Sequence, residues 1–246
     1  MNNNFYYIWL YGDSLSLPRK NIVEIRQRYL FLLKEFIQDT FQKKVEVVDR
    51  AIGGATIIDL KRAYDTDMFY HSETQKDVLI IQAGICDCAP RPIPPYLRDK
   101  IDKLKGFIKK MLIFLIKKSR KRIQSNNIYW RTVEESLFEN TYFELIKSAK
   151  DSFKDIYIIN IAPTDNLTDE KSPGFKNSIL LYNEIIKKII EKMNAKNIHL
   201  IDVYEYIASK EDIYSYILKE DGHHITPKTH SAYFQLIKDN IKNKIK

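Results

Sequence analysis

Apolar residues fall into two alternating patterns along the chain: short continuous runs, and longer stretches with apolar positions three or four residues apart. The runs are Phe5–Tyr11, Val45–Val48, Val78–Ala83 (VLIIQA), Ile156–Ile161 (IYIINI) and Ile198–Ile201 (IHLI). Their lengths are those of strands. VLIIQA, flanked by Asp77 and Gly84, has the unbroken apolar character of a strand covered on both faces. Between the runs, Asn21–Thr40 places Ile22, Ile25, Tyr29, Leu32, Leu33 and Phe36 at helical spacing. A helix is expected from about Ile57, after a turn at Gly53–Gly54, and a last one from Pro227, a good first-turn residue, to the chain end. Strands alternating with helices predict an α/β fold with a parallel sheet.

The stretch between the third and fourth strands, about 89–154, is longer than one crossover helix requires. It opens with a Pro-rich loop (APRPIPPY), continues as a helix through Lys118, and passes a polar loop, Gln124–Asn127, into a second helix. The excess is expected to form either a cap over the site or an extra surface helix pair. No repeat or low-complexity linker divides the 246 residues, so residues 1–246 are expected to form one domain with a helical insertion at about 89–154.

Composition adds limits. Hydrophobic residues make up 44%, enough for a sizeable core. A formal net charge of +8 invites a nucleic-acid or anionic-membrane reading. The lysines, among them Lys105, Lys109, Lys110, Lys187 and Lys188, are read as spread along helices and mixed with Glu and Asp, hence as solvated faces with no nucleic-acid partner. Cys86 and Cys88, two apart on a segment read as extended, are poorly placed for a disulfide with each other and lack the companions of a zinc site. Such sparse cysteine use fits a reducing compartment. Phe5–Tyr11 is too short to span a bilayer and lacks the basic flank of a signal peptide, so a cytoplasmic location is expected.

Two segments carry chemistry. Tyr11-Gly12-Asp13-Ser14-Leu15-Ser16 stands where the first strand should end, and ligands bind beyond the carboxyl ends of strands in open α/β sheets. Ser14 there is a candidate nucleophile, and equally a helix cap. Asp221-Gly222-His223-His224 precedes the last helix. A serine hydroxyl needs an adjacent base, usually an imidazole oriented by a carboxylate, and Asp221 with His224 can supply that pair. A capping loop or a weak metal site would also account for this histidine cluster.

Taken together, GDSL after the first strand and D-x-x-H before the last helix resemble the SGNH (GDSL-type) hydrolase family over nearly the whole chain. The resemblance implies a three-layer α/β/α, flavodoxin-like fold with five parallel strands in the order 2-1-3-4-5. It implies Ser14 as nucleophile, His224 as general base and then acid, and Asp221 as the orienting carboxylate, the family spacing selecting His224 over His223. Asp49-Arg50-Ala51-Ile52-Gly53-Gly54-Ala55-Thr56 resembles the family segment whose glycine, here Gly54, gives an N–H to the oxyanion hole along with that of Ser14. The chain departs at Gly84-Ile85-Cys86-Asp87, where the family has G-x-N-D, so Cys86 stands in place of an oxyanion-hole Asn. A thiol is a far weaker donor than an amide. Lower activity, another donor such as Arg91, or retuning toward acyl transfer or binding alone are the competing consequences; Cys86 as nucleophile has no motif behind it.

Arg19 and Arg91 follow the two catalytic segments. Their planar guanidinium groups suit an anionic substrate, with Asp13 and Asp87 at the same edge as further substrate contacts, or as the arginines' ion-pair partners. Tyr64, Phe69 and Tyr70 are read as helix-packing residues. The expected function is hydrolysis of an ester, a short acyl such as acetyl, on a carbohydrate or other small polar molecule, with no cofactor or metal. Acyl transfer and a non-catalytic carbohydrate-binding role are the alternatives.

Overall fold

The computed structural model describes residues 4–124 and 130–241. Strands β1 (Phe5–Gly12), β2 (Lys44–Ala51), β3 (Val78–Gln82), β4 (Asp155–Ile159) and β5 (Ile198–Ile201) form one sheet in the order β2-β1-β3-β4-β5. Every pairing is parallel. The order explains the burial pattern. β3 and the inner residues of β1 and β4 are fully covered, whereas β2 and β5 at the edges are half-exposed. The 2-1-3-4-5 three-layer α/β/α architecture is the expected one.

The helices are α1 (Tyr29–Phe41), α2 (Ile57–Tyr70), α3 (Ile85–Cys88), α4 (Pro95–Lys103), α5 (Gly106–Gln124), α6 (Glu135–Ala149), α7 (Asn166–Lys171), α8 (Phe175–Met193), α9 (Val203–Ala208) and α10 (Pro227–Ile241). α1 packs with α10, while α6 packs with α2 and α8. Trp9, Tyr29, Phe138, Tyr142 and Tyr182 are among the largest side chains wholly removed from water. Burial at roughly 25 cal/mol per Å2 of apolar surface makes such residues the main source of stability.

Several expectations need correcting. Asn21–Arg28 is not helical: Asn21 adopts φ 62°, Arg19 and Val23 form a bridge, and a 3-10 turn spans Ile25–Gln27 before α1 starts at Tyr29. Cys86 and Cys88 lie on α3, not on an extended segment, and both are free thiols. Tyr64 does pack, edge-on against Tyr11, but Phe69 and Tyr70 are exposed. Asn160 and Ile161 lie beyond β4, and the Asn160 carboxamide bonds to the start of α9. In the 89–154 stretch, α6 is the crossover helix, and α4 and α5 are the excess, separated at Leu104–Lys105. α5 runs past Lys118 to Gln124; most of the expected polar loop Gln124–Asn127, and the chain end past Ile241, lie outside the described residues.

Candidate active site

Ser14 begins a 3-10 turn, Ser14–Ser16, directly after β1. The turn bends because Gly12 leaves room for it: a Cβ on Gly12 would stand 2.3 Å from Ser16 Oγ. Beneath it lies a buried polar network. Ser16 and Tyr29 both donate to Gln82 Oε1, at 2.6 and 2.8 Å, and Arg28 Nε donates to the Ser16 carbonyl while its two Nη atoms hold Asp49. Buried hydrogen bonds of this kind fix a loop's position.

Two buried carboxylates tie the strand-end loops together. Asp13 accepts from Leu15 N at 2.9 Å and from the Ile85 amide, joining the loops after β1 and β3. Asp87 accepts from Ile57 N at 2.9 Å, joining α3 to the start of α2 and hence to the Gly54 turn. Burial pushes each carboxyl up to about 7. Both side chains are buried and turned to backbone amides, and among the described residues neither is ion-paired with an arginine. Gly54 is exposed with φ 77°, and a Cβ there would meet nothing within 4 Å. Its glycine is therefore required by backbone conformation rather than by close approach.

The loop before α10 folds back onto Ser14. His224 Nε2 lies 3.2 Å from Ser14 Oγ, and its Nδ1 lies 2.9 Å from Asp221 Oδ2. Asp221 Oδ1 accepts from the backbone N–H groups of His224 and His223, at 2.9 and 3.2 Å. Burial alone would raise the Asp221 carboxyl, but those two amides and the neighbouring imidazoles outweigh it and hold it below the ordinary value. Burial, with the His223 ring alongside, brings His224 down to about 4 against the opposing pull of Asp221. At neutral pH the imidazole is thus uncharged, the form that can take a proton from a serine hydroxyl. His223 Nδ1 is 2.9 Å from the Asp221 carbonyl. Asp221, His223 and His224 offer one ligand atom each within 4.8 Å, the only such group among the described residues, but the hydrogen bonds to Ser14 and Asp221 already engage His224.

Arg19 Nη1 stands 3.4 Å from Asp221 Oδ2, a partner the sequence reading did not foresee. Beside Ser14 opens a cavity of about 260 Å3 lined by Ile85, Ala89 and Phe175, with Cys86, Arg91 and Lys171 as its other notable groups. Burial, with Asp13 and Asp87 nearby, pushes the Cys86 thiol up to about 12, which leaves it protonated and poorly nucleophilic. Arg91 Nε donates to Thr132 Oγ1 at 3.0 Å, and neither Arg91 nor Lys171 is ion-paired with a carboxylate among the described residues. Lys171 was missed from the sequence. It reaches the site because Asp165 caps α7, accepting from Thr168 N, while the Asp165 N–H donates to the Gly222 carbonyl.

The parallel sheet in this order, with Ser14 after the first strand and Asp221 and His224 before the last helix, is an α/β fold that the chain shares with several solved esterase structures. The chain matches a lipase/acylhydrolase from Enterococcus faecalis at TM-score 0.66 and 15% identity, covering 98% of this chain and 97% of that one. It matches an acetylxylan esterase from Geobacillus stearothermophilus at TM-score 0.62 and 15% identity, over 96% and 93% of the two chains. A psychrotrophic esterase from Pseudoalteromonas sp. matches at TM-score 0.57 and 16% identity, over 96% and 97%. At such identities the likeness establishes the fold. No protein-family model and no curated protein matches the sequence.

Proposed function

We propose that this chain is a serine esterase of the SGNH type that removes a short acyl group from a polar, anionic substrate. The observation that carries the reading is the continuous hydrogen-bonded chain from Ser14 through His224 to Asp221, with the imidazole held neutral. In the reaction, His224 Nε2 takes the Ser14 proton as Oγ attacks the ester carbonyl, and Asp221 supports the imidazolium that forms. The N–H groups of Ser14 and Gly54 receive the oxyanion, a contribution on the order of 3 kcal/mol per donor at such sites. His224 then gives its proton to the departing alkoxide, and water repeats the sequence on the acyl-enzyme.

The small apolar wall of Ile85, Ala89 and Phe175 suits an acetyl-sized group. Arg91 and Lys171, neither ion-paired with a carboxylate among the described residues, favour a carboxylate or phosphate on the alcohol side. That some proteins of this fold are esterases, one of them an acetylxylan esterase, agrees with the reading. Cys86 in the position of the family Asn favours a second reading, a weakly catalytic carbohydrate binder. Turnover of p-nitrophenyl acetate separates the two: the esterase reading expects hydrolysis by the wild type and a loss of about 10^3-fold or more in Ser14→Ala. Equal, background rates for both proteins would favour the binding reading.

A further inference from the structure

The positive charge of this chain is concentrated in one place. Residues 95–124 hold eleven Lys and Arg against two acids, Asp99 and Asp102, a net +9 in a chain of net +8. The lysines singled out from the sequence as mixed with acids, Lys105, Lys109 and Lys110, belong to this segment, and that reading is corrected. α5 itself contains seven basic residues and no acid.

The same helix is apolar on both sides. Leu112, Ile113 and Ile116 form its half-buried side toward the protein. On the other side Phe107, Ile108, Met111, Phe114 and Leu115, spaced at one, four, seven and eight residues, form a single stripe. Phe107 is 78% exposed and Phe114 62%. Tyr96 and Leu104, on and just after α4, are exposed as well. Lys110 flanks the stripe, and Lys118 and Arg122 continue its line toward the C-terminal end. Scattered exposed apolar residues are ordinary; a contiguous stripe with two phenylalanines on one helix is not.

We propose that the outer face of α5 is a docking surface for an anionic lipid bilayer. Apolar side chains on one arc with lysines and arginines beside it are what an interfacial helix needs: the rings enter the boundary between headgroups and acyl chains while the long cationic side chains reach the anionic headgroups. The helix is not a span, since no helix among the described residues is long and apolar enough to cross a membrane. A second copy of the chain fits the surface poorly, because a symmetric contact would bring together two faces that each carry Lys110 and Lys118 beside the stripe, with no acid on either helix. Nucleic acid would use the charges but leave Phe107 and Phe114 without a function. α5 packs against α7, whose Lys171 lines the Ser14 cavity, so docking would bring that cavity beside the lipid surface. The docking itself does not depend on the esterase reading.

The test is co-sedimentation of the full chain with vesicles of phosphatidylcholine alone and of phosphatidylcholine with phosphatidylglycerol, at low and high salt. The expected result is partition onto the anionic vesicles, weakening with salt, and reduced about tenfold or more in Phe107→Ser/Phe114→Ser and in Lys110→Glu/Lys118→Glu. Ile108→Ser/Leu115→Ser is a second apolar pair, and circular dichroism with a melting curve confirms that each variant is folded. Three results would overturn the proposal: a wild type that stays in the supernatant with every vesicle; apolar variants that bind as well as the wild type, with duplex DNA competing equally; or apolar pairs that abolish a concentration-dependent dimer while leaving vesicle binding intact.

Discussion

Arg19 and Asp221 form an ion pair, Nη1 to Oδ2 at 3.4 Å, on the same carboxylate oxygen that His224 Nδ1 approaches at 2.9 Å. A cation at that oxygen draws on the charge that would otherwise support a protonated imidazole, and it holds the His224 pKa down. Burial sets most of the depression to about 4, and Arg19 adds to it. The acid limb of the pH–rate profile is therefore expected near pH 4, because activity requires neutral His224. In Arg19→Ala the limb should move upward, toward the ordinary histidine value. A limb that stays in place or moves down in a pH series of kcat/KM would remove Arg19 from the electrostatics of the site.

Cys86 lines the cavity with a protonated thiol, a weak donor where an amide would be a strong one. Cys86→Asn should therefore raise kcat, by about tenfold or more, with little change in KM, since an oxyanion donor acts in the transition state. A lower or unchanged kcat would mean that another group already fills the role.

Arg91 and Lys171 are expected to select substrates by charge. The preference of the protein for an O-acetylated uronate over the corresponding neutral acetylated sugar, measured as a ratio of kcat/KM values, should fall about tenfold for Arg91→Gln and again for Lys171→Gln. A ratio near one in the wild type would exclude an anionic substrate.

His230 on α10 is buried against Tyr29, with neither ring nitrogen hydrogen-bonded among the described residues, and burial brings its pKa down to about 3. The unfolded chain binds this proton at about pH 6.5, so the stability it contributes is present above 6.5 and is lost as pH falls toward 3. In His230→Phe the loss of stability between pH 7 and pH 4 should be smaller than in the wild type by roughly 2–3 kcal/mol, read from denaturant midpoints. Identical pH slopes would contradict a neutral, buried imidazole.

The sheet was legible because its inner strands are unbroken apolar runs between polar stops, as at Asp77 and Gly84. Ser14, Asp221 and His224 were legible because each sits in a short motif at a predicted element boundary. The segment before α1 misled because Ile22 and Ile25 keep helical spacing while lying exposed, Ile22 in a loop and Ile25 at the start of a 3-10 turn. Local spacing does not report the left-handed φ of Asn21. Long-range partners were out of reach: nothing near Arg19 points to Asp221, and α7 is six residues long, too short for periodicity to place Lys171 at the cavity. Charge concentrated in 95–124 was present in the sequence, but it shows only when charge is counted by segment instead of over the chain.

The most direct test of the account is where a fluorophosphonate probe attaches. The probe reacts with a serine whose hydroxyl is activated by a neighbouring base, so peptide mass spectrometry of the labelled protein should find one adduct, on Ser14. Labelling should be absent in Ser14→Ala and slowed by several orders of magnitude in His224→Ala. An adduct on another residue, or a Ser14 that labels equally fast without His224, would contradict the central claim that Ser14, His224 and Asp221 work as a unit.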